Sequence, residues 1–484
     1  MNIKKTLDKY NSLPVQLRAS IWFLICAFLQ KGISMVTTPI FTRIMSTSEY
    51  GQYGVFSSWL SIISIIVCMN LYFGVHSQGI VKFYEKRNQF TSSLQGLTTV
   101  LVTFWTIIYL AFQSFWNNLF SLTSIQMLSM LLIMWTSAIF NFWANEQRLT
   151  YSYRSIVIVT FLVSISRPLL ELILVMHSED KVTARIVGWV VIELLAYSWM
   201  YIILQKKGSI FFSKKYWWYA LTFNIPLIPH YLSAVALNSA DRIMIQRMVG
   251  DSQAGIYSLA YSLSLIMTLF NSAMMQTISP WMYQKIKHHK STDIAPVAYI
   301  TLAVIAGLNL ILILLAPEAV AIFAPKTYYE AMWVIPPVAM SVYFMYSYDL
   351  FAKFAFYHEK TFVIMVASVM GALLNLVLNF YCIKRFGYMA AGYTTLVCYV
   401  FFSVTHYIFM RKICRDFSYR EYPYNTKIII TITIPFLITG FLIMTSYDYP
   451  IIRCIFVILS IMMLLIYRKK IIKYIKRIIA VKKI

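Results

Sequence analysis

The stretch Asn238–Tyr257 reads NSADRIMIQRMVGDSQAGIY. An Asp–Arg pair, Asp241–Arg242, stands at the end of a long apolar run. A Gly-bearing turn then leads into Tyr257 and the next apolar run. Charges at the end of a hydrophobic helix are expensive wherever they touch lipid. Pro39–Tyr53, PIFTRIMSTSEYGQY, carries the same Arg-Ile-Met, then a turn, then Gly-x-Tyr. Aligning Arg43 with Arg242 sets an offset of 199 residues. Under it the first and seventh apolar runs correspond, as do the second and eighth, with both members of each pair running in the same direction. Two parallel six-helix halves about an axis along the membrane normal are a common transporter plan.

The rest of the chain agrees with a membrane setting. Of its 484 residues 60% are hydrophobic and 12% charged, against roughly 25% charged in a soluble domain. The fold class is therefore an all-α polytopic membrane protein. About fourteen apolar runs are long enough to cross about 30 Å of hydrocarbon. They lie at 19–42, 52–74, 93–113, 122–144, 153–176, 184–204, 220–246, 255–279, 294–316, 331–352, 361–382, 388–410, 427–446 and 450–467. The implied organisation is an N-terminal lobe (1–204), a cytoplasmic inter-lobe linker (205–219), a C-terminal lobe (220–410), two further spans (427–467) and a basic tail (468–484).

The formal net charge of +24 does not point to nucleic acid, because the charges lie between the apolar runs and not on one folded face. Under strict alternation, 31 of the 42 Lys and Arg fall in one set of connections and 8 in the other, with Lys31, Arg167 and Arg242 inside spans. That asymmetry places the rich set, and with it both termini, in the cytoplasm. No cleavable signal is expected, since residues 1–18 are polar and basic and the run after them is full length. The tail from Arg468 alternates cationic and apolar residues, as a segment on an anionic leaflet or a solvated stop-transfer tail would. Six cysteines show no metal-ligand spacing. Nothing reads as an NTP-binding loop, a zinc pattern or a nucleophile elbow, so no cofactor is expected.

PIFTRIMSTSEYGQYG (39–54), SADRIMIQRMVGDSQAGIYSLAY (239–261) and the following Pro280–Trp281–Met282–Tyr283 resemble the Wzx-type O-antigen flippases. These form the polysaccharide-transporter branch of the multidrug/oligosaccharidyl-lipid/polysaccharide (MOP) exporter superfamily, to which MurJ and the MATE proteins are related. The resemblance implies a protein of the bacterial inner membrane. It would move an undecaprenyl-pyrophosphate-linked oligosaccharide from the cytoplasmic to the periplasmic leaflet by alternating access. Its implied partners are this lipid-linked oligosaccharide, membrane lipids, a polysaccharide polymerase and a chain-length regulator.

Candidate residues follow from charge inside spans. Lys31 and, under the 199 offset, His230 each stand twelve residues before the repeated Arg and near mid-span. A pyrophosphate needs cationic partners to leave water. Twelve residues are about 120° of helix rotation, so Lys31 and Arg43 share a face only if the helix bends, as Pro39 permits. Asn224-Ile-Pro226-Leu-Ile-Pro229-His230 marks a broken helix. Arg43 and Arg242 either snorkel, with Arg242 pairing to Asp241, or form an outer gate with Asp241. Arg167, a further substrate-binding candidate, is spaced i,i+4 from Glu171 for an ion pair. Glu193 has no partner in its own helix; it either joins Arg167 or binds protons. Glu171, Glu193 and Asp349 are the candidates for ion coupling, and Asp349 with Lys353 reads as an ion pair. Asn70, Asn141, Asn375 and Asn379 offer hydrogen bonds to sugars or between helices. A doubly charged cargo moving outward across an inside-negative membrane gains about 4–5 kcal/mol per 100 mV, so the potential alone can bias export.

An antiporter of the MATE kind would favour a carboxylate-lined cavity. A membrane enzyme of polysaccharide assembly would need a sizeable outward loop or a cytoplasmic catalytic segment. Lys31 and the paired basic positions favour an anionic cargo.

Overall fold

The computed structural model of the chain describes residues 15–449 together with Ile451, Arg453 and Ile455. The rest of the predicted fourteenth span, the basic tail and Lys4, Lys5 and Lys9 lie outside the described residues. Among the described residues every regular element is a helix. This is the structure that apolar runs must take in lipid, because a helix satisfies its backbone N–H and C=O groups internally.

In chain order the first group is α1 (Val15–Ile44), α2 (Thr47–Val67), α3 (Gly74–Lys82), α4 (Arg87–Ala111), the short α5 (Gln113–Phe120), α6 (Ser124–Leu149), α7 (Tyr153–Met176) and α8 (Lys181–Gly208). Then come α9 (Lys214–Asn224), α10 (Ile228–Met248), α11 (Asp251–Ser264), α12 (Thr268–Lys287), α13 (Ile294–Leu314) and the short α14 (Ala316–Phe323). The last are α15 (Ala331–Tyr357), α16 (Thr361–Phe386), α17 (Ala390–Asp416) and α18 (Thr426–Met444). Among the described residues eleven helical segments are long and apolar enough to span a membrane. With α1 and α15, which cover the first and tenth predicted spans, thirteen of the fourteen are helical. The protein is an all-helical, multi-span membrane protein.

The less apolar character of α15 has a packing cause. It is buried along nearly its whole length and packs against α17, α11 and α13. A helix surrounded by protein need not dissolve in lipid, so its tyrosines, serines and Pro336–Pro337 pair are tolerated.

The chain divides into two compact units, Met1–Val235 and Ala236–Ile484, with the division inside α10. The segment 205–219, expected as a linker, is mostly helix; the connection itself is only residues 209–213. It is tied to α4: the Ser92 hydroxyl donates to Ile210 O at 3.0 Å, and Trp217 Nε1 donates to Ser93 O at 2.9 Å. Tyr216 and Ala220 of α9 lie in one buried cluster with Leu71, Phe90, Phe142 and Leu204.

The repeat seen in the sequence is repeated in the elements. Each unit carries a short helix after its third long one, α5 after α4 and α14 after α13. Each also breaks its second span, at 68–73 in the first unit and at the 3-10 turn Leu265–Met267 in the second. The offset of 199 carries Cys68 to Met267. The first break corrects the expectation of one unbroken span over 52–74. Met69 and Asn70 adopt left-handed backbone, φ 48° and 51°. The carbonyls released there are taken by asparagines: Asn224 Nδ2 donates to Met69 O at 2.6 Å and Asn145 Nδ2 to Tyr72 O at 2.7 Å. A buried chain break needs such partners. The expected break at Asn224–His230 is present as a 3-10 turn, Ile225–Leu227.

The two copies of the opening motif end their helices differently. In the first, Ser46 and Glu49 form a reciprocal capping box at the start of α2. In the second, Gly250 turns the chain at φ +148°, a conformation closed to residues with a Cβ.

Candidate functional site

In the first unit, α8 presents Lys181, Arg185, Trp189 and Glu193 at four-residue intervals, which aligns them along one stripe of the helix. A continuous polar ladder grows from that stripe. Lys181 Nζ donates to Ile44 O at 2.7 Å, closing the end of α1. The Arg185 guanidinium lies 3.7 Å from the ring centres of both Phe41 and Tyr53, and its Nε donates to Glu171 Oε2 at 3.2 Å. Glu171 Oε1 accepts from Arg167 Nε at 2.7 Å. Arg167 also donates to the Tyr53 hydroxyl at 3.0 Å and lies 3.5 Å from the Trp189 ring centre. Trp189 Nε1 in turn donates to Glu193 Oε1 at 2.7 Å, and Thr136 and Ser137 donate to Glu193 Oε2 at 2.7 and 3.2 Å.

Two arginines and two glutamates thus balance within one network that is buried except along one edge of Arg167. A buried charge persists only when it is paired and hydrogen-bonded. The structure brings Arg167, Glu171 and Glu193 together and corrects one expectation. Glu193 does have a partner in its own helix, Trp189, four residues earlier. Arg185, Trp189 and Tyr53 were missed as members of the network, although the i,i+4 series on α8 was a readable signal. Gly188 makes the ladder possible. A Cβ there would stand 3.0 Å from Glu171 Cα and 3.1 Å from its N, so glycine allows this close approach of α7 and α8 and a side chain would require the Glu171 backbone to give by a few tenths of an ångström. Gly188→Leu should therefore push α7 away and cost about 1–3 kcal/mol. It should register as a lower unfolding temperature of the solubilised protein; an unchanged temperature would show that the helices can separate freely.

Lys31 lies apart from this ladder. It is exposed on α1 and makes no hydrogen bond or ion pair among the described residues, and open space surrounds the Cβ direction of neighbouring Gly32. Arg43 reaches back along α1 to Pro39 O at 2.8 Å. His230 stands at the start of α10, in the part that belongs to the first unit. Its Nδ1 is buried with no hydrogen-bond partner among the described residues. Lys31 and His230 thus both fall within the compact unit Met1–Val235, where the sequence reading set one in each lobe. The turn Ile225–Leu227 lets this part of the chain pack on the first unit, where Tyr231 meets Phe73 edge-on.

In the second unit the buried carboxylate of Asp241 holds four helices. From α11 Tyr257 donates to Oδ2 at 2.7 Å, from α17 Thr395 donates to Oδ2 at 2.8 Å, and from α16 Asn379 donates to Oδ1 at 2.6 Å. Thr394 bonds Asn379 in turn, and Asn379 Nδ2 reaches Asn375 Oδ1 at 3.2 Å. One turn before Asp241, Asn238 accepts from Tyr261 at 3.0 Å and Tyr399 at 3.2 Å. The guanidinium of Arg242 lies 4.8 Å from the Tyr261 ring centre. Asp349 and Lys353 pair at 2.6 Å.

The profile of the family described as "Polysaccharide biosynthesis protein" matches residues 17–286, more than half of the chain. The chain belongs to that family. A relative in Haemophilus influenzae named "Lsg locus putative protein 1" is 23% identical to this family member over 299 residues, covering 56% of this chain and 67% of the relative. An "Uncharacterized membrane protein" of the same organism is 19% identical over 371 residues, covering 73% and 87%. Among solved structures, the "Lipid II flippase MurJ, inward closed conformation" superposes with TM-score 0.70 at 16% identity, over 93% of this chain and all of that one. A multidrug resistance MATE family transporter of the MOP superfamily, facing inward, gives 0.59 at 10% identity, over 80% and 95%. At these identities the likeness is one of fold.

Proposed function

We propose that this polysaccharide biosynthesis family member is a Wzx-type flippase and not an enzyme. Its cargo is an undecaprenyl-pyrophosphate-linked oligosaccharide, carried from the cytoplasmic to the periplasmic leaflet of the bacterial inner membrane, with the basic loops on the cytoplasmic side. The observation that carries this reading is Lys31, a cation within a membrane helix that no described residue neutralises. Such a charge is retained where it meets an anion or a water-filled path. His230, with its bare ring nitrogen, is the second polar contact for the cargo. Arg167 serves the cargo through its exposed edge, its side chain being 28% exposed beside the Trp189 ring. Arg43, Asp241 and Arg242 stand at the outer ends of their spans and act there as gate or clasp.

A small-molecule cation antiporter on the same fold would need an available carboxylate. Glu171, Glu193 and Asp241 are instead each engaged by two or three donors, which favours the anionic cargo. Coupled movement of H⁺ through any of these three groups would have to free it from its donors first.

The test is the sidedness of the cargo. In cells lacking this chain, lipid-linked oligosaccharide should accumulate where a membrane-impermeant lectin labels it in inverted vesicles but not in right-side-out ones. Restoring the chain should move the label to right-side-out vesicles. Equal labelling of both vesicle types without the chain would reject the flippase.

A further inference from the structure

The N-terminal turn of α1 and the start of α7 border an open cavity of about 390 Å³ lined by Arg18, Tyr151, Ser152, Tyr153, Arg154 and Ser155. We propose that this cavity is a phosphate subsite for a lipid headgroup, separate from Lys31. It rests on the reading above only for its cytoplasmic orientation.

Three features point to that ligand class. The two arginines come from different helices and converge on one volume, so their placement is a product of the fold and not of a local basic run. Planar guanidinium groups bind phosphate oxygens in a bidentate manner, and a pair of them can hold two phosphate faces. Four of the six lining residues carry hydroxyls, which donate to the remaining oxygens, and none is acidic. The cavity is within the size range of small-molecule sites. It also opens at the first turn of the 24-residue α7, whose exposed N–H groups favour an anion there.

The loop that shapes the cavity is fixed. Tyr151 is held in left-handed backbone, φ 54°, Ser152 N bonds Gln147 O at 2.8 Å, and the Thr150 and Ser152 hydroxyls lie 3.0 Å apart. Both arginines belong to the connections that positive-inside asymmetry assigns to the cytoplasm. At that level the phosphates of inner-leaflet lipids reside. The pyrophosphate of a lipid-linked cargo and the phosphate of a bulk anionic phospholipid share this chemistry.

The full chain is placed in nanodiscs of phosphatidylcholine doped with either undecaprenyl pyrophosphate or phosphatidylglycerol, and the retained lipid is measured by native mass spectrometry. Arg18→Gln and Arg154→Gln should each lower retention of the doped lipid by about tenfold or more, the loss of a charge-assisted contact. Arg→Lys at either position should recover part of it. Loss confined to undecaprenyl pyrophosphate supports the subsite and puts the cargo in it. Loss confined to phosphatidylglycerol supports the subsite and makes its occupant a bulk lipid, and loss in both arms supports a general phosphate site. Unchanged retention in both arms for the double Gln variant overturns the proposal. If the Gln variants do not fold, displacement of doped lipid from wild type by inorganic pyrophosphate, weakened in the Lys variants, decides instead; no displacement overturns it. The vesicle-labelling result above can fail without altering this one, so the two readings are separable.

Discussion

Lys31→Ala is expected to lower surface polysaccharide by tenfold or more while the protein remains inserted at its normal level. The side chain is exposed and makes no hydrogen bond or ion pair among the described residues, so its loss costs stability no more than about 0.5 kcal/mol. What it removes is a positive charge in a span, and a charged hydrogen bond to a pyrophosphate is worth about 1.5–3 kcal/mol. That range corresponds to roughly ten- to hundredfold in cargo affinity. Lys31→Arg keeps the charge and should keep most of the polysaccharide. The readout is a gel of surface polysaccharide beside an immunoblot of the membrane fraction. Normal polysaccharide with Lys31→Ala, in a strain whose polysaccharide depends on this chain, would remove the residue from the transport path.

The second large effect concerns stability. Asp241→Ala should destabilise the second unit by about 3–5 kcal/mol, because three buried donors lose their common acceptor at once. For a unit of this size that is a fall in unfolding temperature on the order of 10 °C. Thr395→Ala removes one donor and should cost about 1 kcal/mol. Thermal unfolding of the solubilised chain checks both. An Asp241→Ala protein that unfolds at the wild-type temperature would show that the carboxylate does not hold α10, α11, α16 and α17 together, and would return it to the list of transport groups.

What could be read from the sequence depended on distance along the chain. Apolar length and alternating Lys and Arg are local patterns, and they located thirteen spans that are helical among the described residues, whereas the short α3, α5 and α14 fall in stretches read as connections. The Arg167–Glu171 and Asp349–Lys353 pairs are one helical turn apart, and their spacing alone predicted them. The chain break at Ile225–Leu227 was announced by Pro226 and Pro229. The break at 68–73 was not, because the apolar run continues through it and its carbonyls are satisfied by Asn145 and Asn224 from far along the chain.

The same limit explains the candidate groups. Arg185 reaches Glu171 across two helices, and Asp241 finds Asn379 and Thr395 138 and 154 residues away. No spacing rule connects such residues; only packing does. Spacing alone could set Asp241 only beside its neighbour Arg242, whereas its carboxylate accepts from Tyr257 on the next helix and from Asn379 and Thr395 far along the chain.

The short connection between α8 and α9 has a practical meaning for dismantling the molecule. It is the natural place to divide the gene and express two halves. A cut there, however, would remove Tyr216 and Ala220 from the first unit's core and hand them, bare, to the second polypeptide. The packing boundary instead lies within a continuous helix, at Val235 and Ala236. Division at that loop would therefore leave the first unit short of part of its own interior.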